Sequence, residues 1–228
     1  MNHWTDQAEL LLRTIAADDL DGFGCYVVAF DQIKESEPRL HGSKSLAWTS
    51  HLLPTTIRPW LESQGRWIGD GFATVVHQDR IPTWRDTLGC CVHELAHWVS
   101  DDRALEVPEI VTSELAELYA TALRDWSDGY IMPSEKPTWF QHEAPFVRAA
   151  CHLAHRANQV VESVHPKHVH FADQYYPPLF NEETFMSSLS SELDATGSIR
   201  DILKMAAPNE FTELWNAATA TYTQEATE

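Results

Sequence analysis

Apolar residues recur at Ala8, Leu11, Leu12 and Ile15, the spacing of one helical face, and predict an amphipathic helix over residues 6–18 that Gly22 and Gly24 end. Cys25 to Phe30 (CYVVAF) is a short apolar run closed by Asp31, the pattern of a buried strand. Residues 31–45 are polar and predict a loop. Pro54 to Ser63 predicts a helix in spite of Pro59. Phe72 to His77 (FATVVH), opened by Gly69 and Gly71, predicts a second strand, and its edge is offered for an extended peptide to add by main-chain hydrogen bonds.

The period then lengthens from two to 3.6. Thr83 to Ser100 predicts a helix, with Leu88, Val92, Leu95 and Val99 as its apolar stripe. Thr83 stands where an N-cap belongs, and Asp86 three residues on approximates a capping box. Pro108 opens a second helix reaching Trp126, proline being tolerated at the first helical position. After a loop containing Gly129, Pro133 and Pro137, Pro145 to Val161 predicts a third. Residues 165–180 read as irregular. Short helices are expected over 182–193, 198–205 and 208–218, with TATYTQEATE as a polar tail.

Composition limits what such a chain can be. Its 228 residues are 43% hydrophobic and 22% charged, enough for a packed core. The formal net charge of −18 repels phosphates, so neither nucleic acid nor an anionic membrane is expected as a partner. No stretch approaches the roughly 20 apolar residues of a membrane helix. The N-terminus lacks the basic start and apolar segment of a secretory signal, and four scattered cysteines do not make a disulfide scaffold; a cytoplasmic setting is expected. Nine tryptophans are expected chiefly as core fillers with their indole N–H groups satisfied.

Residues 93–97 read His-Glu-Leu-Ala-His. On a helix, His93 and His97 stack one turn apart, so both imidazoles can reach one tetrahedral zinc ion. Glu94 lies one step round, within reach of a water on that ion, whose acidity the metal raises. The triplet lies well round the helix from the apolar stripe, with the two histidines about 140–180° from it.

The segment CCVHELAHWV resembles the active helix of the HExxH zincin-type metallopeptidases. The resemblance implies Zn2+ bound by His93 and His97, with Glu94 as general base. It implies an α+β, predominantly helical fold: a zincin-like domain with a small sheet beside that helix. Ser100 and Arg103 stand where the metzincin branch carries glycine and a third histidine, so that branch is excluded. A SprT-like branch implies a histidine before a helix with phenylalanine four residues on, which here is His142 followed by Phe146. A gluzincin-like branch implies a glutamate from the next helix; Glu117 lies 20 residues after His97. The helical wheel favours Glu114 over Glu117 by position, at about 70° against about 130° from the stripe of Val111, Leu115, Leu118 and Ala122. His142 is the expected third ligand and Glu117 the runner-up, with Glu114 and Asp101 also open.

Residues 1–228 are expected to form one metallopeptidase-like domain. Residues 1–82 supply a helix and sheet part, 83–162 the metal-site helices, and 163–228 a helical extension with the polar tail. His152 or His155 is a candidate to bond a developing oxyanion, as is Tyr119. His165, His168 and His170 are read as a solvated loop, Cys90 as a packing residue, and Asp86 as a cap. The expected function is peptide-bond hydrolysis, with a peptide or protein substrate and an oligomeric state that the sequence leaves open. A non-proteolytic zinc amidase, with Cys25 as the cysteine placed to be a third ligand, and an inactive zincin-fold scaffold are the alternatives.

Overall fold

The computed structural model describes residues 3–34, 46–50, 53–81, 83–100, 144–161 and 186–225. In chain order these form α1 (His3–Ile15), β1 (Gly24–Ala29), α2 (Phe30–Ile33), β2 (Ala47–Ser50), α3 (Leu53–Thr56), α4 (Arg58–Ser63), β3 (Gly71–Val76), a 3-10 turn (Gln78–Arg80), α5 (Trp84–Ser100), α6 (Ala144–Val160), α7 (Ile199–Lys204) and α8 (Asn209–Glu225). The architecture is mixed α and β, mostly helical with a small three-stranded sheet. No described helix is long and apolar enough to cross a membrane.

The sheet order is β1-β3-β2, with β1 parallel and β2 antiparallel to β3. This corrects the expectation that residues 72–77 form an open edge, because β3 is the central strand and both its flanks are paired. β2 is one edge. Its four residues (AWTS) are half-polar and alternate between half-buried and buried, too short a signal to stand out in the sequence. The other edge, β1, is closed by side chains. Val27 N–H donates to Glu9 Oε1 at 2.9 Å, Arg66 donates to the Val27 carbonyl at 2.8 Å, and Arg13 donates to the Cys25 carbonyl at 2.7 Å. Capping of this kind keeps a strand from recruiting another chain. At the start of the β1–β3 pair, Gly24 faces Gly71, where a Cβ on Gly71 would overlap the Gly24 carbonyl.

The two sheet faces pack on different layers. Cys25, Val27, Phe72 and Val76 join α1, α5 and α6 in one core. Tyr26, Val28, Ala73 and Val75 join Trp48, Leu53, Ile57 and Leu61 in the other. Large aromatics fill both, as expected, but the indole nitrogens of Trp4, Trp48 and Trp98 are buried without a hydrogen-bond partner. Leaving such a donor unpaired costs about 1–3 kcal/mol, set against the large ring area each tryptophan buries.

α6 is tied down along one polar stripe at 148, 152 and 156, a spacing of four. Arg148 grips Glu192 with two bonds of 2.8 and 2.9 Å and donates to the Met205 carbonyl at 2.8 Å. His152 Nε2 lies 3.2 Å from Glu192 Oε1. Arg156 donates to the carbonyls of Ile15, Ala195 and Gly197, each at 3.0 Å. Asp19 caps α7 from outside, accepting from Ser198 Oγ (2.7 Å), Ile199 N–H (2.8 Å) and Arg200 N–H (3.0 Å). α8 extends through Glu225 where a polar tail is expected, since no glycine or proline interrupts residues 209–225. Of the expected 182–193 helix, the described part, from Met186, shows one helical turn followed by turns.

Glu192→Ala would leave Arg148, whose side chain is 4% exposed, without its carboxylate. Its unfolding free energy in urea is expected to fall by about 3–5 kcal/mol. The exposed pair Arg58–Glu62, at 53% and 49% exposure, provides the contrast: Glu62→Ala should cost no more than about 0.5 kcal/mol.

Candidate metal centre

α5 forms where the sequence predicts it, and its cap is the expected one. Asp86 N–H donates to Thr83 Oγ1 at 3.2 Å, and the Thr83 hydroxyl donates to Asp86 Oδ2 at 2.6 Å. The helix packs on α1, α6, α7, β2 and β3. Thirteen of its 17 residues are buried, so the face bearing His93 and Glu94 is enclosed as well as the Leu88–Val99 stripe. Arg200 closes the far end. Its guanidinium sits 4.3 Å from the Trp98 ring centroid and donates to the Trp98 carbonyl at 2.6 Å.

His93 and His97 are brought together as their spacing requires. Their ring centroids are 4.9 Å apart with planes at 77°. Phe146, in the first turn of α6, touches both: 4.3 Å from His97 at 31°, and 5.0 Å from His93 at 67°. Glu94, next to His93 in the chain, is buried, and its carboxylate accepts a hydrogen bond from the backbone N–H of Thr49 on β2. Burial pushes the Glu94 carboxyl up to about 8, with the Thr49 bond pulling weakly the other way. Thr49 is the contributor that sequence reasoning missed, because LAWTS over residues 46–50 shows no apolar–polar alternation.

Cys90, one turn before Glu94, is a buried packing residue as expected. Burial, with the Glu94 and Asp86 carboxylates adding, pushes its thiol up to about 12, so it is protonated near neutral pH in the metal-free protein. Cys25 is also buried with its thiol raised. No group of three or more His, Cys, Asp or Glu able to hold a metal occurs among the described residues, so Cys25 does not join the histidine pair. His152 Nε2 lies 3.2 Å from Glu192 Oε1, on the stripe that anchors α6, and His155 Nε2 lies 3.0 Å from Asp194 Oδ1 beside that stripe. His142, Glu117, Glu114, Asp101, Tyr119, His165, His168 and His170 lie outside the described residues.

Comparison with family models, with curated proteins and with solved structures found no match to this chain. The resemblance to the zincins therefore rests on Cys90–Val99, and the chemistry on the three side chains that segment presents. Imidazole nitrogen is a donor that zinc accepts, and the described residues bring two such rings together one turn apart.

The raised Glu94 carboxyl sets a pH dependence for the metal-free protein. Folded Glu94 holds its proton to about 8, whereas the unfolded chain releases it near 4.5. Stability is therefore undiminished by this group below the lower value. It falls as pH rises through the window, by up to about 1.4 kcal/mol per unit, and levels off above the upper one. Glu94→Gln should remove that decline, so the variant without metal should be the more stable protein at pH 8 and close to wild type at pH 4.5, as read by urea unfolding across pH.

Proposed function

We propose that the chain is a zinc-dependent peptide-bond hydrolase of zincin-like fold, with His93 and His97 as metal ligands and Glu94 as general base. The observation that carries this reading is the imidazole pair one helical turn apart on a helix that also encloses the Glu94 carboxylate. Zinc, when bound, supplies Lewis acidity toward a water and the scissile carbonyl. Glu94 takes a proton from the attacking water on a carboxylate oxygen, as the water oxygen bonds to the carbonyl carbon. It then gives that proton to the departing amine nitrogen as the C–N bond breaks.

The Thr49 N–H fixes where that carboxylate sits against β2. β2 rather than residues 72–77 is the strand along which an extended peptide would add. His142 remains the proposed third ligand, with Glu117 the runner-up and Glu114 and Asp101 open. Free, buried cysteines suit a cytoplasmic setting. A zinc amidase acting on non-peptide amides would use the same three residues, and an inactive scaffold would keep the helix without turnover.

Purified protein should carry one zinc per chain by elemental analysis, and His93→Ala should carry none. Glu94→Gln should keep the zinc while hydrolysis of a denatured protein substrate drops by at least about 100-fold. Turnover unchanged in Glu94→Gln would refute the base role. Zinc lost in His142→Ala but retained in Glu117→Ala would assign the third ligand, and the opposite pattern would assign it to the glutamate.

A further inference from the structure

Phe146 is nearly inaccessible, at 2% exposure, and stands against both histidines. Its ring overlies that of His97, 4.3 Å away and tilted by 31°, and meets His93 edge-on at 5.0 Å and 67°. With the 4.9 Å contact between the imidazoles, the three rings form a closed trio. An imidazole turning about its Cβ–Cγ bond in such a trio collides with a flat neighbour. An aliphatic side chain of similar volume would fill the space without a plane to stack on. Phe146 is itself firmly placed: two residues on, Arg148 locks the first turns of α6 to Glu192 and the Met205 carbonyl, and Arg156 holds the far end. α6 thus packs against the ligand-bearing helix and has its own polar anchors besides.

We propose that Phe146 is a positioning residue that holds the planes of His93 and His97 in their mutual orientation before any metal arrives. The effect on zinc rests on the reading given above; the effect on the rings does not. The hydrophobic shell around a metal site controls its solvent access, and the hydrogen-bonded partners that orient ligands typically change metal affinity about 10–100-fold when removed.

The test compares wild type, Phe146→Leu, Phe146→Ala and Leu153→Ala, the last removing a buried side chain two turns further along the same helix. In metal-free protein labelled at histidine, NMR should show upfield ring-current shifts on the His97 ring protons and high ring order in wild type and Leu153→Ala. Both should be lost in Phe146→Leu and Phe146→Ala. In competition with a chromogenic chelator, zinc affinity should fall at least tenfold in both Phe146 variants and less than threefold in Leu153→Ala, all at a temperature where each is folded by circular dichroism. Ring order and shifts unchanged in both Phe146 variants would overturn the proposal, as would equal zinc losses in Phe146→Leu and Leu153→Ala. Wild type that takes up no zinc while the ring signals behave as expected would sink the hydrolase reading and leave the positioning role standing.

Discussion

Enclosing a carboxylate in a protein interior is costly unless its charge is met or its proton retained. Glu94 is in that position, on a helix covered on nearly every side, with a main-chain N–H from β2 bonded to its oxygens. The outcome is a carboxyl that holds its proton toward neutral pH. Much of the surrounding structure follows from the need to keep that group enclosed. β2 must lie close against α5 for Thr49 to reach it, and β2 can lie there only because β3 holds it antiparallel, with Thr49 opposite Thr74. The sheet thus serves the site through its least conspicuous strand.

The other side is supplied by α6. Its hydrophobic residues face α5, and its Arg148–His152–Arg156 stripe faces residues 192–205, so the helix is gripped between the core and the chain's C-terminal part. His152, on that stripe, belongs to this scaffold. Burial lowers the proton affinity of His152 while Glu192 opposes the shift, which favours a neutral imidazole beside the Arg148–Glu192 pair. Phe146, at the start of the same helix, is where the scaffold meets the imidazoles.

Much of this was legible from residue order, and the parts that were not share a cause. α5 was readable because cap, stripe and triplet all lie within 18 residues, from Thr83 to Ser100. β1 and β3 announced themselves as apolar runs. Pairing is non-local, however, and nothing in FATVVH states that it lies between two partners. β2 escaped notice because four half-polar residues are too few for a periodic signal. His152 read as a site residue because it lies on a helix beside the motif, whereas its partner Glu192 is 40 positions away. Ring contacts such as Phe146 on His97 depend on how two helices cross, which spacing along one of them does not encode. The third ligand is a different matter: all four candidates fall outside the described residues.

Zinc K-edge X-ray absorption on the purified protein tests the central claim most directly. The account predicts a four-coordinate ion with a nitrogen and oxygen shell at about 2.0–2.1 Å and outer-shell scattering from at least two imidazoles, lost when His93 and His97 are replaced. A sulfur shell at about 2.3 Å, or a spectrum without imidazole scattering, would contradict it.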